Sequence, residues 1–251
     1  MWLPELASVE GAAIDDVIEL IHWFMLILFV GWGVFYTAAL IRFRAGKNPK
    51  ANYYGVTNHS STYVEAGVVI FEAVLLLGFA IPMWGRWLGD LPDPKDATVV
   101  RAIGQQFAWN IHYPGPDGVF GKTDVKLVDA QTNPLGLDKK DQGAKDDVVT
   151  QNHMHVPVNK PVLVYVGSKD VIHSFKVPVM RITQDAVPGT IIPISFTPNR
   201  IINAEIACAQ LCGVGHAKMR GFLKVESQRD FEEWMAKEVQ SAQEAAEAED
   251  W

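Results

Sequence analysis

Two long apolar runs near the N-terminus restrict the folds open to this 251-residue chain more than anything else in it. Residues 18–41 read IELIHWFMLILFVGWGVFYTAALI, interrupted only by Glu19 and His22, and residues 63–84 read YVEAGVVIFEAVLLLGFAIPMW, apolar apart from Glu65 and Glu72. As a helix the first would span roughly 36 Å, enough to cross a hydrocarbon core about 30 Å thick. A buried core helix is the competing reading, but it suits runs of only about ten to fourteen residues. A cleaved secretory signal competes for the first run alone, and residues 1–20 carry acids where a signal has a basic start. The expectation is a pair of transmembrane helices at 18–41 and 63–84, seated in a lipid bilayer.

Charge sets their orientation. Between the runs stand Arg42, Arg44, Lys47 and Lys50 without an acid, and before the first stand Glu5, Glu10, Asp15 and Asp16 without a base. The positive-inside rule places the loop 42–62 in the cytoplasm or matrix, and the N-terminal segment 1–17 and all that follows the second helix on the other side. A net charge of -7 excludes a generally basic nucleic-acid binder.

After the linker-like GDLPDPKD at 89–96, helical periodicity gives way to short β-like runs separated by turns. Strands are expected at 98–103, 107–113, 123–128, 161–168, 172–177, 190–196, 200–205 and 221–225, with a turn at YPGPDG and a polar loop over 132–147. Closely spaced strands without long helices between them indicate an antiparallel sandwich or barrel over 97–226. The remainder, 227–251, reads as a helix capped by Ser227, burying Phe231, Trp234, Met235 and Val239, followed by a solvated acidic tail.

The two cysteines, Cys208 and Cys212, lie in EIACAQLCGVGHAKMRG at 205–221, with His216 and Met219 beside them. Two cysteines outside a membrane normally suggest a disulfide, but that bridge would close a tiny loop and leave His216 and Met219 unexplained. Thiolate and thioether suit copper, imidazole suits copper or zinc, and no carboxylate intervenes to favour a hard cation. A Cys2His2 zinc site is the serious competitor; it needs a second histidine and has no use for the methionine. Upstream, SKDVIHSFKVP places His173 near the start of an expected strand after an acidic turn, while His112, His153 and His155 lack such a pattern and stay open on sequence alone. A mononuclear blue-copper site uses one Cys, two His and a weak axial Met, one thiolate fewer than this set. The surplus fits two coppers bridged by Cys208 and Cys212, each capped by one imidazole, with Met219 weakly bound to one and the Gln210 carbonyl to the other.

DVIHSF at 170–175, DAVPG at 185–189 and CAQLCGVGHAKMRG at 208–221, preceded by the two spans, resemble in order and spacing the subunit II family of haem-copper cytochrome c oxidases, over nearly the whole chain. The resemblance implies a membrane-anchored all-β protein: a two-helix transmembrane hairpin, a cupredoxin Greek-key β-barrel and a short C-terminal helix. It implies the binuclear copper centre CuA, ligated by His173, Cys208, Gln210, Cys212, His216 and Met219, with no catalytic residue in this chain. Such a subunit accepts single electrons from a c-type cytochrome, soluble or membrane-attached. It passes them to haem in subunit I, where haem and CuB reduce oxygen to water with proton translocation. The implied setting is an energy-transducing membrane, a bacterial inner membrane with the copper domain periplasmic, and the partners are subunit I and other oxidase subunits. The CuA subunit of a nitric-oxide reductase is the nearest alternative. A non-oxidase membrane copper protein is a further one.

Departures from the family pattern generate further expectations. Gln210 stands where relatives usually carry a Glu whose side chain helps bind magnesium against subunit I. The amide leaves a main-chain copper ligand intact but weakens or removes the magnesium site, because magnesium prefers carboxylates. In GQQFAWNIHYPG, Phe107 replaces the exposed tryptophan at which electrons arrive and Trp109 matches a following tryptophan; the competing reading makes Phe107 a packed strand residue. Asp170 matches a donor-docking acid, and Asp124, Asp129, Asp146 and Asp147 are further acids able to steer a basic donor. Glu65 matches a glutamate at the inner mouth of a proton path. Glu72 lies two turns deeper on about the same helix face, where relatives often have proline.

Overall fold

The computed structural model describes residues 3–50, 53–55, 58–89 and 91–249, without the side chains of 86–88 and 245–249. Four residues of the loop between the spans, Asp90 of the linker and the last two residues of the acidic tail therefore lie outside the described residues. The chain divides into two compact units, one over Ala13–Gly89 and one joining the preceding segment to the residues that follow.

The first unit is helical: α1 (Gly11–Phe43), then α2 (Ser60–Leu75), a π-helical turn (Leu76–Ala80) and α3 (Ile81–Gly89). Within Gly11–Phe43 and Ser60–Gly85 the apolar windows have a mean hydropathy of 2.2, and none of either window is buried in the protein. A core helix would hide such side chains, yet Phe29, Phe35 and Leu77 are 76%, 65% and 65% exposed. Lipid is the solvent that accepts this surface, since each helix satisfies its own backbone. Phe24 of α1 packs on Phe71 of α2 with ring centroids 4.4 Å apart. The π-turn has a local cause: Pro82 has no N–H to return to the carbonyl of Gly78, and the backbone widens so that Ile81 N–H reaches Leu76 O. Glu65 and Glu72 are both exposed on α2.

The second unit packs two five-stranded sheets face to face. One has the order β3–β2–β1–β5–β8, made of β1 (Thr98–Gln105), β2 (Ala108–Tyr113), β3 (Val148–Gln151), β5 (Val162–Ser168) and β8 (Ile191–Phe196). The other has the order β4–β10–β9–β6–β7, made of β4 (His153–Pro157), β6 (His173–Val177), β7 (Ile182–Ala186), β9 (Ile202–Cys208) and β10 (Arg220–Glu226). The expected all-antiparallel pairing is corrected: β1 runs parallel to β5 and β4 parallel to β10, because the chain crosses between sheets before returning. Along β1, Val100 and Ala102 face inward and Val99, Arg101 and Ile103 outward, the alternation of a strand with one buried face. Trp109, Ile111, Met154, Val164, Phe175, Ile206 and Leu223 fill the core.

β2 is buried on both faces, because the segment between β2 and β3 folds back over it. His112 Nε2 lies 2.7 Å from Asp147 Oδ2, which also accepts from Gly121 N at 2.8 Å, and Phe120 packs edge-on to the His112 ring. The strand expected at 123–128 is instead a single 3-10 turn (Val125–Leu127): Asp124 Oδ1 accepts the Lys126 N–H, a local bond that competes with sheet pairing. Strands β3, β4 and β7 were not anticipated, being short and of mixed polarity. The expected 200–205 strand runs on to Cys208, and the acidic tail continues as helix in α4 (Gln228–Glu249). Residues 3–10 join this unit by edge bonds, Ala7 N to Val179 O at 2.8 Å and Val9 N to Thr197 O at 3.0 Å.

Ser227 Oγ accepts the Asp230 N–H at 3.1 Å and caps α4. The helix lays Trp234 flat on His155, with centroids 4.1 Å apart and planes 6° apart, and sets Phe231 and Trp234 against Tyr113. Tyr113 Oη donates to His155 O at 3.0 Å and accepts its N–H at 2.8 Å, and burial drives the phenol pKa far up. Replacing Tyr113 by Phe removes this partner from both main-chain groups of His155. The expected cost is about 1–3 kcal/mol, read as a lower denaturant midpoint at unchanged slope by tryptophan fluorescence. An unchanged midpoint would show that the hydroxyl contributes nothing.

Candidate metal centre

Cys208 closes β9, opposite Phe175 of β6 in the ladder. Successive inward side chains of a strand are two residues apart, so the face that buries Phe175 also buries His173, which is fully enclosed. Gly104 on β1 admits the imidazole: a Cβ there would meet His173 Cδ2 at 2.8 Å. Beyond Cys208 the chain loops through Cys212 and a 3-10 turn (His216–Lys218) to Met219, whose carbonyl accepts the Cys208 N–H at 3.3 Å.

Six donors converge on this loop. The thiols of Cys208 and Cys212 stand 3.8 Å apart. His173 Nδ1 is 3.9 Å from Cys208 Sγ, and the Gln210 carbonyl oxygen is 3.2 Å from it. His216 Nδ1 and Met219 Sδ lie 3.6 Å and 3.7 Å from Cys212 Sγ. Ligand atoms of His173, Cys208 and Cys212 all fall within 4.8 Å of one another. A disulfide would hold the sulfurs about 2.05 Å apart, so these cysteines are free. Two soft thiols, a thioether and two imidazoles form a donor set that fits copper, and a four-coordinate zinc site leaves the buried thioether unused.

The electrostatics disfavour a bare thiolate at Cys212. Burial, then the hydrogen bond with Cys208, pushes the Cys212 thiol up to about 11. Asp170 faces the opposite demand: burial works against its charge, yet the N–H of Gln106, the ring of His173 and the N–H of Val171 outweigh it and hold the carboxyl below the usual range. Its Oδ1 is 2.8 Å from His173 Nε2. An ionised carboxylate only accepts, so Nε2 carries the proton and the Nδ1 lone pair points to the cysteines.

The other expected residues are sorted by place. Phe107 is half-buried, with its ring against Gly213 and Gly215 of the ligand loop, so that a Cβ at Gly215 would run into it and one at Gly213 would press on it at 3.3 Å. Trp109 is fully buried, edge-on to Phe175 with centroids 5.3 Å apart and 6.0 Å from the His173 ring, and presents no face to a donor protein. Asp147 is buried against His112 and cannot steer a donor; Asp124, Asp129 and Asp146 accept neighbouring backbone N–H groups. His155 pairs with Glu226 at 2.8 Å and His153 stacks on Phe222, so neither joins the cluster, and nor does His112. Gln210 is exposed, its carbonyl turned to Cys208. Sequence reasoning missed the bond from Asp170 to His173, although the three-residue spacing in DVIHSF was a signal of it. Replacing Asp170 by Asn removes the charge that orients His173. Copper affinity is expected to fall about 10–100-fold, measured by competition with a chelator, and unchanged affinity would dismiss the orienting role.

Comparison with known proteins bears on the same region. A family profile described as cytochrome c oxidase subunit II, periplasmic domain, matches residues 98–226. The chain is 32% identical over 235 residues to the alternative cytochrome c oxidase subunit 2 of Bradyrhizobium diazoefficiens, covering 93% of this chain and 83% of that one. It is 27% identical over 231 residues to the cytochrome c oxidase subunit 2 of Cereibacter sphaeroides, covering 86% and 75%. Among solved structures, the periplasmic domain of cytochrome oxidase subunit II from Bradyrhizobium japonicum overlaps 60% of this chain and 97% of its own at 28% identity, with a TM-score of 0.44. With the family profile spanning the sandwich from β1 to β10 and a relative aligned over both helices and domain, the chain belongs to the cytochrome c oxidase subunit II family.

Proposed function

We propose that this chain is the electron-accepting subunit of a haem-copper oxidase, holding a binuclear copper centre on His173, Cys208, Gln210 O, Cys212, His216 and Met219. The convergence of four further donors on two unbonded thiols carries the reading. When bound, a copper pair held by these residues would share one electron between two nuclei and so would need little rearrangement on each transfer. The chain's own residues supply the rest. The β6–β9 ladder fixes His173 against Cys208, Asp170 keeps the Nε2 proton in place, and burial of His173, Cys212 and Met219 excludes water.

In this reading a c-type cytochrome delivers single electrons, Phe107 and Asp170 lie where it docks, and Trp109 acts from within the core beside His173. Haem of subunit I receives the electrons, the domain faces the periplasm of a bacterial inner membrane, and Glu65 opens a proton path on the opposite side. Magnesium at Gln210 is weak or absent, because a neutral amide replaces a carboxylate at a hard-cation site. Relatives named as oxidase subunits do not favour the nitric-oxide-reductase alternative.

Electron paramagnetic resonance of the purified, copper-loaded protein should give the seven-line pattern of one electron shared equally by two copper nuclei. Cys212→Ser should reduce it to a mononuclear signal. A single copper per chain in the unaltered protein, or a silent zinc site, would overturn the binuclear reading. In the assembled oxidase, Phe107→Ala should slow reduction by the cytochrome, Glu65→Gln should slow proton-coupled turnover, and manganese should not accumulate stoichiometrically; each arm that fails removes its own assignment.

A further inference from the structure

Gln106, in the turn between β1 and β2, touches both halves of the donor cluster without supplying a donor. Its main-chain N–H donates to Asp170 Oδ2 at 2.7 Å, while Asp170 Oδ1 takes the His173 Nε2 proton at 2.8 Å. Its side-chain Nε2 donates to the Cys212 carbonyl at 2.6 Å. His173 on β6 and Cys212 in the β9–β10 loop are thereby joined through Asp170 and Gln106, by a route that runs through protein alone.

Apart from Phe107, whose ring packs on Gly213 and Gly215, the rest of the ligand loop has few backbone hydrogen bonds to the sandwich among the described residues. Ala209 N donates to Ser174 O at 2.9 Å at the loop's root, whereas the N–H groups of His216, Lys218 and Met219 bond within the loop. Gly213, next to Cys212, adopts φ +133°, where side chains are rarely tolerated, and a Cβ on it would lie 2.8 Å from Gln106 Nε2. The loop is thus shaped to receive this amide, with Phe107 packed alongside at 3.3 Å from the same Cβ position.

We propose that Gln106 is a positioning residue for the metal centre: it fixes the Cys212 peptide relative to Asp170 and so sets the spacing of the thiols and imidazoles independently of copper. The assignment rests on the copper reading above, though the hydrogen-bond route itself does not. A fixed spacing limits ligand movement between oxidation states, the property an electron relay needs.

Three forms of the full-length chain test it: unaltered, Gln106→Met, which keeps the length but cannot donate, and Gln106→Glu, which keeps size and polarity but, ionised, only accepts. Both variants are expected to alter the copper hyperfine pattern and to lose about 10–100-fold in copper affinity against a chelator. In the metal-free chain, amide hydrogen exchange across 209–219 should be faster in both. A hyperfine pattern, affinity and exchange rate indistinguishable from the unaltered chain in either variant would overturn the proposal. If the unaltered chain shows no binuclear signal, the copper reading fails, and the exchange measurement alone decides whether Gln106 holds the loop.

Discussion

A short stretch of antiparallel ladder between β6 and β9, Phe175 with Cys208 and Lys176 with Ala207, is what the candidate metal centre depends on. It brings the first thiol to a histidine 35 positions away in sequence. The register is pinned by the core, since Phe175 packs edge-on against Trp109 and both are fully buried. A slip of one residue would turn Phe175 and His173 together to the outside, so hydrophobic burial and ligand placement are enforced by the same pairing. Once His173 and Cys208 are set, the bond from Cys208 N to Met219 O closes the loop and brings the remaining donors with it.

The outer faces of the sandwich explain why other chemically capable residues stay out of the centre. The segment after β2 covers that strand with Phe120 and seals His112 against Asp147. Helix α4 covers the β4 side with Trp234, where His155 meets Glu226 and a flat indole. These histidines act as hydrogen-bonding core residues, and the acids of the long loop are drawn into turns whose backbone N–H groups they satisfy. Asp170 differs because its two oxygens face different elements, one His173 on β6 and one the β1–β2 turn.

The helical unit obeys another rule. Its side chains find no protein to bury them, so the bilayer takes the part that a core plays in the sandwich. There an ionisable residue is expensive, and Glu65 and Glu72 persist on α2 among Val, Ile and Phe. The π-turn just beyond them follows from Pro82.

The two membrane helices were legible in the sequence because hydropathy over a long window needs no tertiary information. The loop donors were legible for a similar reason: Cys208, Cys212, His216 and Met219 sit within one turn-rich segment, and their softness as ligands is a property of the side chains themselves. His173 could be paired with them only through the flanking pattern in DVIHSF and the resemblance it carries. Strands β3, β4 and β7 were not readable, since Val148–Gln151, His153–Pro157 and Ile182–Ala186 are short segments of mixed polarity that become strands by docking onto neighbours already in place. The reverse happened at 123–128, where alternating residues suggested a strand and Asp124 chose a turn. Composition and local spacing therefore determined the anchor, the soft character of the donor cluster and most of its members. Tertiary structure alone decided that Trp109 is interior and that Asp147 pairs with His112. Those outcomes depend on which surfaces meet across the sandwich, and no local pattern encodes that.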